Sequence, residues 1–416
     1  MTMPTRSSSR RKDLQDLYKL PRSPFFSYMR KQAEPEAPRP KSLDHSLLPP
    51  LERPPRRPLL EAFSPQRIWN WITEYLGHRF GGRYPFQSYE AGSPNNGVYT
   101  LQGDDQVIRI AMAGDWATGT DEAYAIGQHM EAFKPHYTIH LGDVYYVGDN
   151  AEVDENFLGK PRKKYAACLW PKGSNGAFAL TGNHEMYALG RAYYERMLPT
   201  LGPVVAGRNQ GQKASFFCLE NEFWRIIGLD TGYNSIGMPI LEYLKPFAPD
   251  CALRPELLDW LRDVVKPDKD ERGVILLSHH QYCSRFDTCY PKPATQLAKF
   301  ISRPVLWFWG HEHRLAIYKE YGIAGGLTAF GRCVGHGGMP VDLPGTITHP
   351  ECPVEFIDER LYDNDENLRV GVNGFVQMTL QGNRLDAGYV DFYGAVIFKE
   401  AWVTKGGVLT RVAANS

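Results

Sequence analysis

Five short apolar runs in this 416-residue chain each end in side chains that can bind a metal ion. The first run ends in Gly114-Asp115-Trp116, the second in Gly142-Asp143-Val144-Tyr145-Tyr146 and the third in Gly182-Asn183-His184-Glu185. The fourth runs into Ser278-His279-His280 and the fifth into Gly310-His311-Glu312-His313. Carboxylates, an amide, phenols and imidazoles are the oxygen and nitrogen donors that transition-metal ions take. An aspartate after a strand is ordinarily a turn residue, so one such site alone says little. A specified tetrapeptide such as Gly-Asn-His-Glu arises by chance in only about three chains of this length in a thousand. Here all five motifs occur in order, each after an apolar run.

The elements that must carry these residues can be read from the same runs. Val107–Ala113, Tyr137–Leu141, Ala177–Leu180, Val274–Leu277 and Val305–Trp309 suit strands buried on both faces. Open α/β sheets place their ligand crevice at the carboxyl ends of such strands. Helices are expected at 121–134, 160–169, 189–198, 255–265 and 294–302. A second set of strands is expected at Ala214–Leu219, Phe223–Leu229, Leu315–Lys319, Gly325–Phe330, Phe375–Leu380, Leu385–Val390 and Val396–Phe398. Strand–helix alternation with antiparallel additions predicts an α/β chain in which helices flank two packed sheets. Before these, Ser64-Pro65 caps a helix whose apolar positions Ile68, Trp69, Ile72, Tyr75 and Leu76 run to Gly77. A loop rich in Gly, Pro and Asn follows, from Gly81 to Asp105. The organisation read here is a tail over 1–60, a helix and loop over 61–105, the main domain over 106–400 and a C-terminal extension over 401–416. No internal repeat is visible.

The five motifs resemble those of the calcineurin-like metallophosphoesterase superfamily and, within it, the purple acid phosphatase branch. The resemblance covers residues 107–314 by motif and the strands to about residue 399 by layout. It implies a four-layer α/β/β/α sandwich of two mixed sheets flanked by helices. It also implies a pair of metal ions bridged by Asp143. Asp115, Tyr146 and His313 would complete one site, and Asn183, His279 and His311 the other. A hard Asp/Tyr/His set suits Fe(3+), whereas Asn, two His and a shared carboxylate suit Fe(2+), Zn(2+) or Mn(2+). Most relatives carry a histidine ligand two residues after the first aspartate. Here that position is Ala117, and the resemblance implies that Tyr146 supplies the missing donor, as in the purple acid phosphatases.

The implied activity is hydrolysis of phosphate esters by a metal-bound hydroxide, with no protein nucleophile. Accordingly, no G-x-S-x-G elbow is found. His184 is expected to face the leaving oxygen, with Glu185 hydrogen-bonding to fix its ring. His280 reads equally as a substrate-facing residue or a packed one. His336, in the glycine-rich turn Gly335–Met339, is a second candidate for substrate binding. Monoesters of small molecules or proteins are the favoured substrates. Diesters (cyclic nucleotides, nucleic acids or lipid headgroups) are the alternative, and a non-catalytic scaffold on the same fold is the rival from another class.

Composition narrows the rest. Hydrophobic residues at 43% supply a sizeable core, which excludes wholesale disorder. Lys+Arg and Asp+Glu balance at 47 each, which does not mark a dedicated nucleic-acid binder. The balance conceals an asymmetry, because residues 1–60 hold 13 basic residues, 6 acidic residues and 11 prolines. That segment reads as a basic disordered tail, either merely solvated or touching an anionic surface. No apolar stretch is long enough for a transmembrane segment, and no hydrophobic signal core precedes Leu60. Seven cysteines without CxxC spacing read as reduced thiols, so a cytoplasmic location is expected.

Overall fold

Alternate residues of the strand Val107–Ala113 face two different apolar layers. In this computed structural model the described residues are 82–414, except 91, 94, 162–166, 237–248, 342–346 and 364–368. The tail at 1–60, the helix expected from Ser64 and the middle of the helix expected at 160–169 lie outside them. Ile108, Ile110 and Met112 point into a layer shared with Ile275, Leu277, Leu306 and Phe308 of a second sheet. Ala111 and Ala113 face the other way, onto a layer that includes Ile126 and Met130 of the helix Asp121–Ala132. The second sheet repeats the arrangement, with Val274 and Leu276 packed against Leu257, Trp260 and Leu261. Three apolar layers between four layers of elements make the α/β/β/α sandwich.

Each sheet has a parallel block. In the nine-stranded sheet Val107–Ala113, Tyr137–His140 and Gly176–Ala179 run parallel and adjacent. In the eight-stranded sheet Trp224–Gly228, Gly273–Ser278, Val305–Trp309 and Thr328–Val334 do the same. Antiparallel strands extend both blocks outward. Burying an Ile, Leu or Phe side chain stabilises by about 1.5–3 kcal/mol, so the inter-sheet layer fixes the two blocks against each other.

Residues 401–412 stand within the sandwich, not beyond it. The strands Val396–Lys405 and Val408–Val412 close one edge of the nine-stranded sheet. Glu400 on the first of them forms a buried two-pronged ion pair with Arg332 of the other sheet, at 2.7 and 2.6 Å. Tyr389 and Trp402 also donate to that carboxylate, at 2.7 and 3.0 Å, so the buried charge is fully partnered. Charges within a strand of this kind hide it from hydropathy. Among the described residues no helix is long and apolar enough to cross a membrane.

Candidate metal centre

All five motifs meet at one buried point. Asp115, Asp143 and His311 each adopt a left-handed backbone, with φ of 59°, 74° and 63°. Such conformations cost a non-glycine residue about 1–3 kcal/mol each and persist where surrounding contacts impose them. Here the turns hold one another. Asp115 N–H donates to Gly142 O at 3.1 Å, and His311 N–H donates to Asp115 Oδ2 at 2.7 Å. His184 N–H donates to Asp143 Oδ1 at 2.9 Å. Glycine is required where the turns touch. A Cβ on Gly142 would lie 2.6 Å from His279 Nδ1, and one on Gly182 would overlap Asp143 Oδ1.

The side chains then converge. His279 Nε2 lies 3.2 Å from Asp143 Oδ2 and 3.2 Å from Asn183 Oδ1, and His311 Nδ1 lies 2.9 Å from the same amide oxygen. His313 Nε2 lies 3.5 Å from Asp115 Oδ1. The tyrosine hydroxyl that joins them belongs to Tyr145, which donates to Asp115 Oδ1 at 2.6 Å and lies 3.2 Å from Asp143 Oδ2 and 3.0 Å from His313 Nε2. The residue beside it, Tyr146, is the one that the resemblance implies as the donor. A bridge of Val144 to Ala117, with Tyr145 N–H donating to Ala117 O at 3.0 Å, holds Tyr145 over the Asp115 turn. The Tyr146 ring lies 5.9 Å from that of Tyr145, and its carbonyl has a separate use.

That use corrects the reading of Glu185. His184 Nδ1 lies 2.6 Å from Tyr146 O, so the carbonyl, not a carboxylate, fixes the ring and leaves Nε2 facing Asp143 Oδ2 at 3.7 Å. Glu185 Oε2 instead accepts the backbone N–H of Gly182 at 2.7 Å and of Asp143 at 3.2 Å, clamping two of the turns together. Burial pushes its carboxyl up to about 8, helped by the Asp143 charge. Burial also pushes Asp143 upward, but the positive charges of His184 and His279 outweigh it and hold the carboxyl well below its ordinary range. His279 Nδ1 lies 2.8 Å from Leu141 O, so donation to that carbonyl turns Nε2 to the cluster.

His280 sits beside this group. Its N–H donates to Thr231 Oγ1 at 3.0 Å, and its ring packs 4.5 Å from that of His311. One ligand atom from each of His279, His280 and His311 falls within 4.8 Å of the others, as do those of Asp115, Asp143 and His279. His336 lies close enough to Asp115 to feel its charge. It is buried against Gly374, in a turn whose backbone braces the motif at 114–115 through Gly337 N–H to Gly114 O and Met339 N–H to Asp115 O.

Sequence reasoning missed one positioning residue. Asn183 Nδ2 donates to the Tyr187 hydroxyl at 2.9 Å, which fixes the amide with Oδ1 toward His279 and His311. The spacing of four residues was visible, but its meaning depends on the short helix Asn183–Tyr187. Groups that orient metal ligands are worth about 10–100-fold in affinity. Tyr187→Phe should therefore weaken metal binding roughly tenfold without unfolding the protein. Competition with a chelator gives the affinity, and an unchanged value would mean that Asn183 needs no orienting partner.

The donor set fits cations. It holds two carboxylates, an amide oxygen, a phenol and three imidazoles, with neighbouring donor atoms 2.6–3.5 Å apart. Such spacings are those of ligand atoms sharing an ion about 2.0–2.2 Å away.

The family model for calcineurin-like phosphoesterases matches residues 108–315, half of the chain. No curated protein sequence matches. Among solved structures, similarity extends to GAP50, the anchor in the inner membrane complex of Plasmodium. The identity there is 15% and the TM-score 0.45, over 72% of this chain and 89% of that one. Purple acid phosphatase PPD1 from yellow lupin seeds is similar at 14% identity and a TM-score of 0.47, over 73% of this chain and 54% of that one. PhoD is similar at 13% identity and a TM-score of 0.43, over 77% and 74%.

Proposed function

The chain belongs to the calcineurin-like phosphoesterase family, and we propose that it hydrolyses phosphate esters at a dinuclear metal centre, with monoesters preferred. The observation that carries this reading is the convergence of donors from five strand ends on one buried point. Asp115, Tyr145 and His313 would hold one ion, Fe(3+) by the hardness of the set. Asn183, His279 and His311 would hold Fe(2+), Zn(2+) or Mn(2+), with Asp143 shared. When bound, such a pair lowers the pKa of a water and grips the oxygens of the phosphoryl group.

The chain's own residues supply the rest. Glu185 and the turn glycines keep the carboxylates in register, and Tyr187 aims the Asn183 amide. His184 presents Nε2 beside Asp143, where it can hand a proton to a leaving oxygen. His280 stands beside the cluster for contact with substrate. Monoesters are favoured because a tyrosine stands among the donors, as in the purple acid phosphatases, although one residue earlier in the chain. Seven cysteines without paired spacing keep the cytoplasm as the proposed location.

Parallel assays of purified protein with nitrophenyl mono- and diesters, together with metal analysis, test the reading. Faster diester turnover would reverse the substrate preference, and no turnover at full metal occupancy would sink the enzyme itself. The phenol can be tested separately. Phenolate bound to Fe(3+) absorbs visible light, so iron-loaded protein should be coloured. Tyr145→Phe should bleach the band and Tyr146→Phe should leave it. The opposite pattern would return the donor to Tyr146.

A further inference from the structure

His311 and His313 flank a residue that is not itself among the donors. Glu312 N–H donates to Gly310 O at 2.7 Å, and Arg314 N–H donates to Glu312 O at 2.7 Å. Each bond spans two residues, so the segment is a pair of consecutive γ-turns. His311 and His313 stand at their centres, and Glu312 is the corner they share. His311 carries the positive φ, 63°, of the rarer and more strained kind of γ-turn. Backbone wound this tightly keeps its shape where neighbours impose it.

The Glu312 side chain meets those neighbours. It is buried, with Oε1 paired to the buried Arg314 Nε at 2.7 Å and Oε2 accepting the Ser284 hydroxyl at 2.7 Å. Ser284 is buried too, and its Oγ accepts the N–H groups of Phe286 and Asp287, both at 3.0 Å, so the donor sits in a turn of its own. The Phe286 ring lies 4.4 Å from the Arg314 guanidinium and covers it. Ser284 belongs to the loop that follows His279. One carboxylate thus ties that loop to the segment carrying the other two histidines.

The need for such a strut is plainest at His313. A histidine ligand is ordinarily oriented by a partner on its second ring nitrogen. His279 has one in Leu141 O, at 2.8 Å. His313 Nδ1 is buried and meets no hydrogen-bond partner among the described residues, so the backbone that carries the ring sets its direction.

We propose that Glu312 is a positioning residue for the metal centre. Anchored by Ser284 and Arg314, it sets where His311 and His313 stand relative to each other. The proposal rests on the metal-binding reading above, in which His311 serves one ion and His313 the other, so Glu312 acts on both sites.

The experiment uses full-length protein carrying Glu312→Leu together with Arg314→Met. It measures affinity for Zn(2+) and for Fe(3+) by chelator competition, metal content and thermal melting. Replacing a buried ion pair by apolar side chains of similar volume is often neutral or stabilising, so the double variant should melt near the wild-type temperature. Groups that orient metal ligands are worth about 10–100-fold in affinity, so both ions should bind roughly tenfold less tightly or worse. Ser284→Ala, which leaves the ion pair in place, should weaken both ions in the same direction. Ser284→Thr, which keeps the hydroxyl, should restore them. The serine variants carry the test if the double variant does not fold. Wild-type affinity in a folded double variant or in Ser284→Ala would overturn the proposal, and with a lowered melting temperature it would leave the pair a purely structural role. Weakening of one ion alone would overturn the claim that Glu312 serves both sites. Wild-type protein that takes up no metal would sink the reading beneath the proposal, whereas unchanged affinity in the variants leaves that reading standing.

Discussion

Asp143→Ala should abolish phosphate-ester hydrolysis and strip bound metal while leaving the protein folded. Asp143 is the donor closest to the middle of the cluster, with Oδ2 within 3.2 Å of both His279 Nε2 and the Tyr145 hydroxyl. Metal ions contribute several kcal/mol of charge stabilisation in such reactions. At about 1.4 kcal/mol per tenfold, the expected loss is roughly a thousandfold or more. The structural cost is smaller. Asp143 Oδ1 accepts one backbone hydrogen bond from His184, and losing a bond of that kind costs about 1–3 kcal/mol. Its two histidine neighbours also lose the charge that favours their protonated forms, which relieves some of the cost of burying them. Asn183→Ala should behave alike, with metal loss concentrated in one of the two sites. Metal content, circular dichroism and turnover on a nitrophenyl monoester measure the three quantities. Wild-type turnover from a metal-depleted Asp143→Ala protein would sink the two-metal reading.

Much of the centre was legible because buried parallel strands write themselves as uninterrupted apolar runs. Val107–Ala113 and Val305–Trp309 fall where hydropathy places them, and the Gly-Asp and Gly-His turns mark their carboxyl ends. What hydropathy cannot carry is the hand of each turn. The left-handed backbone at Asp143 and the bridge from Val144 to Ala117 accompany the approach of the Tyr145 hydroxyl to Asp115. The placement on Tyr146 came from a resemblance in motif spacing, and spacing carries no account of a left-handed turn. Glu185 was misassigned for a related reason. Its neighbour His184 suggested a side-chain partner, yet the ring found a backbone carbonyl, and backbone partners leave no mark in residue type. The strand Val396–Lys405 was legible only as far as Phe398, because Lys399 and Glu400 interrupt the apolar pattern. The buried Glu400 faces Arg332 on another sheet, a pairing between residues 68 positions apart.

His184→Ala should slow hydrolysis of alkyl phosphates by about 10²–10⁴-fold, the usual worth of a positioned general acid. Nitrophenyl phosphate should be affected far less, because nitrophenolate leaves without a proton whereas an alkoxide does not. The geometry supports this role. With Nδ1 held by the Tyr146 carbonyl, Nε2 is the nitrogen left to carry a transferable proton, and it lies 3.7 Å from Asp143 Oδ2 beside the cluster. The ring is buried against Tyr145 and Tyr187, so bulk water does not readily substitute for it. Burial lowers the pKa of His184, with the Asp143 charge only partly opposing it. The acid form is therefore populated below the ordinary histidine range near 6.5. Turnover of alkyl esters should fall as pH rises through that lowered value, a limb that His184→Ala removes. A metal ligand would behave differently, losing both substrates together along with the metal. The deciding measurement is the ratio of alkyl to nitrophenyl turnover across pH, in wild type and His184→Ala at equal metal content. Equal losses on both esters, with the pH limb intact, would place the proton donor on another residue.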